Sequence, residues 1–175
     1  MSQDWQIDKN YADKSLTEVK RIIGGALIGA APIEEDRERN TDLIVLKMEA
    51  VRIACRIRRP KFYDSPQYRE EFTIRSGRPN GIKTELAKVI EGWGDYFFYG
   101  FAGEEALQAW LLGDLRVFRL WFNQRLRTDK GKCPGTTMRN HDGSSDFMVF
   151  KISELPPEFI VDRFAGLVPA VSEEW

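Results

Sequence analysis

The chain has 175 residues, 42% of them apolar and 30% charged, with a net charge of −1, a balance that suits one folded domain and excludes wholesale disorder. So small a net charge also excludes capture of nucleic acid by a global field, and any such binding has to come from local clusters of Lys and Arg. Two cysteines far apart, Cys55 and Cys133, exclude a disulfide framework, and the single histidine, His141, does not complete a zinc site with them.

The polar, acidic start, MSQDWQIDKNYADK, is not expected to act as a signal peptide. No apolar run approaches the roughly 20 residues that span a bilayer. The expected location is the cytoplasm. Residues 1–14 read as an N-terminal arm. Ser15-Leu-Thr-Glu18 matches a capping box, and Leu16, Val19, Ile22, Ile23 and Leu27 recur at helical spacing, so a helix is expected from about 16 to 28. The charge run that follows, Glu34 to Arg39, is the composition of solvated surface.

Leu43–Leu46 is a continuous apolar run, as in a strand covered on both faces. The next strand alternates: Val51, Ile53, Cys55 and Ile57 point one way, Arg52, Ala54, Arg56 and Arg58 the other, and Pro60 ends it. Cys55, on the apolar side, is expected to be a small buried hydrophobe. Pairing of these two strands about a turn at Glu49–Ala50 would put Asp42 opposite Ile57, between Arg56 and Arg58.

A loop is expected over 61–69 and a third alternating strand over Glu71–Ser76. A second helix opens at Lys83 or Thr84 and ends at Gly92 and Gly94. Tyr96–Phe101, YFFYGF, reads as an aromatic core strand, with Trp93 and Tyr99 the aromatics expected at the surface. Leu107, Trp110, Leu111, Leu115, Phe118 and Phe122 make one stripe, so a long helix is expected from Glu104 to about Arg127. Residues 128–146 read as a polar loop, Phe147–Ile152 as a short strand, and Glu158–Phe164 as a short helix. The outcome is an α/β (α+β) chain with an αβββαβ core, a mixed four-stranded sheet flanked by helices.

An acid among arginines reads as a salt bridge, a metal-dependent phosphate-cleaving site, or a phosphate-binding site without catalysis. Arg52, Arg59, Lys61, Arg75, Arg78 and Lys83 add cations in neighbouring segments, enough for a basic groove.

The αβββαβ order, with Asp42 opening an apolar strand and Arg56-Ile57-Arg58 near the end of the next, resembles the PD-(D/E)XK nuclease superfamily. More closely, TDLIVL, RIACRIRRP, EFTIRS, KTELAKVIEGWGDYFFYGFA and FMVFKISELP resemble a family of uncharacterised phage and prophage proteins, over roughly residues 15–165. This resemblance implies a restriction-endonuclease-like single domain over 1–175, with a nuclease-like core at 15–102, a C-terminal helix, loop and strand at 103–165, and a tail at 166–175. It implies a magnesium- or manganese-dependent nuclease acting on nucleic acid, DNA ahead of RNA, in the host cytoplasm.

The departure from the pattern is Arg56, which stands where the superfamily keeps a metal-binding Glu. A guanidinium has no acceptor and cannot hold magnesium. The metal would then rest on Asp42 and a migrated carboxylate, Glu71 or, before Asp42, Glu35 or Glu38, with Arg58 as the charge clamp at the phosphate. Glu85 and Lys88 fall where such nucleases place polar residues facing the site. The alternatives are a catalytically inactive nuclease fold that binds nucleic acid or a host protein complex, and a structural phage assembly protein; a homodimer is compatible with all of them.

Overall fold

The computed structural model describes residues 15–24, 28–30, 43–45 and 51–165. The chain divides into two compact units, Met1–Ala50 and Val51–Trp175.

In the first unit, residues 15–24 are helical (α1), and Val19 is the most buried of them. The helix expected to run to 28 gives way to strand β1 (Ile28–Ala30), which pairs antiparallel with β2 (Leu43–Val45). The expected hairpin is therefore corrected. Leu43–Val45 takes β1 as its partner, and the arginine strand pairs elsewhere.

The second unit is built on a four-stranded mixed sheet, ordered β3 (Ile53–Arg58), β5 (Tyr96–Ala102), β6 (Leu107–Asp114), β9 (Ile160–Ala165). β3 runs parallel to β5, which requires a crossover; the intervening chain supplies it with a one-turn helix α2 (Pro66–Arg69), strand β4 (Glu71–Gly77) and helix α3 (Glu85–Ile90). The remaining pairs in this sheet are antiparallel. β4 joins β8 (Asp146–Lys151) and β7 (Thr136–Arg139) in a separate three-stranded antiparallel sheet. The fold is mixed α/β, with a four-stranded mixed sheet flanked by helices. The expected αβββαβ order differs: four strands, β1 to β4, and the one-turn α2 lie between helix α1 and helix α3, and the described strands are dealt to three sheets.

β5 is buried from Phe97 to Ala102 because it is central and covered on both faces. On one face Phe97, Tyr99 and Phe101 meet Phe72 and Ile74 of β4, Phe150 of β8, and Phe118 and Phe122 of helix α4 (Leu115–Thr128). Phe72 meets Phe97 of β5 at 5.9 Å and stacks on Phe150 at 5.2 Å and on Phe159 at 5.4 Å, so one ring joins both sheets to the chain before β9. On the other face Phe98 stacks on Trp110 at 5.6 Å.

Residues Glu104–Arg127, expected as one helix, are a strand followed by a helix. Asp114 marks the junction: its Oδ1 accepts from the backbone N–H of Arg116 (2.7 Å) and Val117 (3.3 Å), satisfying donors at the start of α4. Gly113 just before it lies under Phe159, with room for no side chain. The expected helix Glu158–Phe164 is a 3-10 turn over Pro157–Phe159 leading into β9, whose pairing with β6 overrides local preference. The expected loops at 61–69 and 128–146 contain α2 and β7.

Candidate functional site

The arginines of β3 define the site. In the parallel register Arg56 lies beside Tyr99 and Arg58 beside Phe101, so the cationic face of β3 is continuous with the aromatic core face of β5. Both arginines are partly buried, and Cys55 on the opposite face is exposed. The expectation of a buried Cys55 is thus reversed. β3 is an edge strand, and the arginine side chains lay their aliphatic stems along the margin of the core while their heads find polar partners.

Those partners come from three elements. Arg56 Nη1 donates to the backbone carbonyl (3.1 Å) and to Oγ1 (3.1 Å) of Thr73 on β4. Arg58 Nη1 donates to the same Oγ1 at 3.0 Å and lies 3.4 Å from the Tyr99 hydroxyl. Tyr99, expected at the surface, is only 2% exposed, and its hydroxyl sits 3.5 Å from Thr73 Oγ1. A buried tyrosine needs such a partner. From the first turn of α3, Glu85 reaches Arg56 Nη2 at 3.4 Å, accepts from the backbone N–H of Arg75 at 3.3 Å, and stands 4.0 Å from Arg75 Nη1.

Helix α3 is held in place for this by its C-terminal end. Gly92 takes a left-handed φ of 102°, and the N–H groups of Gly92 and Trp93 return to the carbonyls of Val89 and Lys88 at 3.0 Å each. The motif turns Trp93 outward, where it is 64% exposed, as expected for this ring.

Electrostatically, Arg56 and Arg75 share the Glu85 carboxylate while Arg58 meets Arg56 on Thr73, so these contacts gather three guanidinium groups and one carboxylate, a surplus of two positive charges. Burial pushes the Arg56 guanidinium below the usual arginine range and Glu85 opposes that shift; it remains charged at neutral pH. Arg58 is further held by a face-on contact with Phe62, its Cζ lying 3.8 Å from the ring centroid. Among the described residues only Nη1 of Arg58 donates a hydrogen bond, which leaves Nε and Nη2 for another acceptor.

The expected cations divide accordingly. Arg56, Arg58 and Arg75 converge. Arg52 precedes β3 at its other end, where its backbone N–H donates to Asp95 Oδ2 at 2.9 Å. Lys61 is exposed, with Nζ 5.3 Å from the Phe62 ring, and Arg59 is exposed at the end of β3. Lys83 pairs with Glu91 at 2.6 Å. Arg78 lines a separate cleft of about 340 Å³ with Arg139, Ser145 and Asp146. His141 is exposed in its loop.

Of the expected carboxylates, Asp42, Glu35 and Glu38 lie outside the described residues. Glu71 opens β4 on the face that carries Thr73 and Arg75, and makes no ion pair among the described residues. Glu85 does not fit a magnesium ion, because a cation placed on it would face the guanidinium groups of Arg56 and Arg75. Among the described residues no three His, Cys, Asp or Glu side chains gather into a group that could hold a metal.

The residues missed from sequence are Thr73 and Tyr99. Tyr99 carried a signal, a hydroxyl inside a largely apolar strand where it has to be hydrogen-bonded, whereas Thr73 on the polar side of an alternating strand carried none.

Compared with family models, curated proteins and solved structures, the chain matches none of them. The site is read from its own geometry. No helix among the described residues is long and apolar enough to cross a membrane.

Proposed function

We propose that the second unit binds the phosphate backbone of nucleic acid at the Arg56–Arg58–Arg75 cluster, DNA ahead of RNA as the superfamily resemblance implies. One observation carries the reading: Arg56 and Arg75 share the Glu85 carboxylate, Arg58 joins Arg56 on Thr73, and among the described residues Nε and Nη2 of Arg58 make no hydrogen bond. A phosphate oxygen accepts from such donors and meets the surplus charge. The finer fold reading, a restriction-endonuclease-like domain of phage or prophage origin, belongs to the same proposal. Its support is the four-stranded mixed sheet flanked by helices.

The test is a fluorescence anisotropy titration with labelled DNA, repeated at several salt concentrations, for the wild type and Arg58→Ala. Affinity is expected to fall with salt and to drop about tenfold or more in the variant, since a hydrogen bond to a charged group contributes roughly 1.5–3 kcal/mol. Affinity indifferent to both salt and Arg58 contradicts the reading.

A second reading, a magnesium- or manganese-dependent nuclease, is favoured by the position of Glu71 on the Thr73–Arg75 face without an ion pair among the described residues. There Glu71 would be a carboxylate at the metal, which would polarise the phosphate, and Arg58 would bind a phosphate oxygen; the superfamily resemblance implies Asp42 as the second carboxylate. Incubation of single- and double-stranded DNA and RNA with either metal decides it. Cleavage that disappears in Asp42→Ala and Glu71→Ala supports the nuclease, and intact substrate with the wild type removes it.

A further inference from the structure

The chain beside the arginine cluster, from the end of β3 to β4, carries both cations and aromatic rings: Arg58, Arg59, Lys61, Phe62, Tyr63, Tyr68, Arg69. Phe62 is covered by the Arg58 guanidinium at 3.8 Å and meets Tyr68 edge-on at 5.5 Å. Tyr63 packs near Phe101 at 5.9 Å and lies under Arg69 at 5.1 Å, so these two rings are engaged with the protein. Tyr68 differs. It is 40% exposed, on the one-turn helix α2, and its ring centroid is 5.9 Å from Arg58 Cζ.

An exposed ring therefore stands next to a guanidinium whose Nε and Nη2 make no hydrogen bond among the described residues, and the span between them is one that a single nucleotide bridges from phosphate to base. A duplex presents phosphates to this surface but keeps its bases stacked on one another. An unpaired strand presents both, and any base offers a face to a ring. Resting on the phosphate-binding reading of the same cluster, we propose that the site selects single-stranded nucleic acid, with a phosphate on Arg58 and the adjoining base stacked on Tyr68.

The negative groups nearby do not reverse this. Glu85 is taken by Arg56 and Arg75. Asp64 and Glu70 are exposed in the same segment, where Lys61 and Arg69 offset them.

The experiment compares a short labelled DNA strand with the same strand annealed to its complement, for the wild type, Tyr68→Ala, Tyr68→Phe and Arg58→Ala, each checked for folding by circular dichroism. The wild type is expected to prefer the single strand. Tyr68→Ala is expected to lose about fivefold or more in single-strand affinity while duplex affinity holds, and Tyr68→Phe is expected to keep the preference. Equal affinity for both forms, with Arg58→Ala weakening both, overturns the single-strand inference and leaves phosphate binding standing. A loss in Tyr68→Ala shared equally by strand and duplex also overturns it. Binding of neither form by the wild type overturns the inference together with the reading beneath it.

Discussion

Arg56 shows how one side chain serves packing and charge at once. Its head satisfies the Thr73 carbonyl on β4 and grips Glu85 on α3, so it ties three elements together. Its side chain is only 20% exposed, so truncation leaves a buried backbone acceptor without its donor. Arg56→Ala is expected to destabilise the protein by roughly 1–3 kcal/mol in urea denaturation. Arg56→Lys is expected to recover only part of this, because an ammonium cannot fork between Thr73 and Glu85 as a guanidinium does. Equal stability of Arg56→Ala and wild type would show that the contacts are incidental. This residue was the most visible irregularity in the sequence, and the chemistry inferred there, a cation that cannot hold a metal, carries through to its observed contacts. Of its partners, Glu85 was pointed to only by the resemblance, and Thr73 was not legible, because it is 17 positions away and belongs to another sheet.

At the scale of elements, the boundary between β6 and α4 is the instructive case. Leu107, Trp110 and Leu111 continue the helical spacing of Leu115, Phe118 and Phe122, yet the first three belong to a strand. Periodicity could not separate the two because apolar residues crowd the strand on both faces. The local signal was Gly113-Asp114, a residue that must be small followed by a helix cap. Asp114→Ala is expected to cost about 1 kcal/mol, with Asp114→Ser largely restoring it. Gly113→Ala places a Cβ 2.3 Å from Phe159 Cζ, in a ring that is fully buried, and is expected to cost roughly 1–3 kcal/mol. Thermal and urea melts check both.

The β7–β8 hairpin adds a pH prediction. The hydrogen bond from Arg139 holds the Asp146 carboxyl below the usual carboxylate range, with burial opposing it weakly. A folded-state value below the unfolded one means that the pairing stabilises above the ordinary carboxylate pKa of about 3.9 and is lost as pH falls through the folded value. In Arg139→Ala the Asp146 titration, followed by carboxyl carbon NMR, is expected to move up toward that ordinary value. An unchanged midpoint would remove Arg139 as the cause.

For the molecule as a whole, strand and helix identities in the middle of the chain were legible: Glu71–Gly77, Glu85–Ile90 and Tyr96–Ala102 fall where alternation, caps and aromatic content put them. The pairing was not. A parallel partner for β3 lies some 40 residues on, across a strand that joins a different sheet, and nothing local encodes that choice. Yet this non-local pairing is what aligns the arginines of β3 with Tyr99 and brings Thr73 and Glu85 to them.

The central claim, that this cluster receives a phosphate, is tested most directly by arginine side-chain NMR during titration with a short DNA strand. The Nε–H signals of Arg56, Arg58 and Arg75 are expected to shift together and to saturate, while those of Arg125 and Arg139 hold still. Signals from the cluster that stay fixed at a DNA concentration saturating any other change would contradict it.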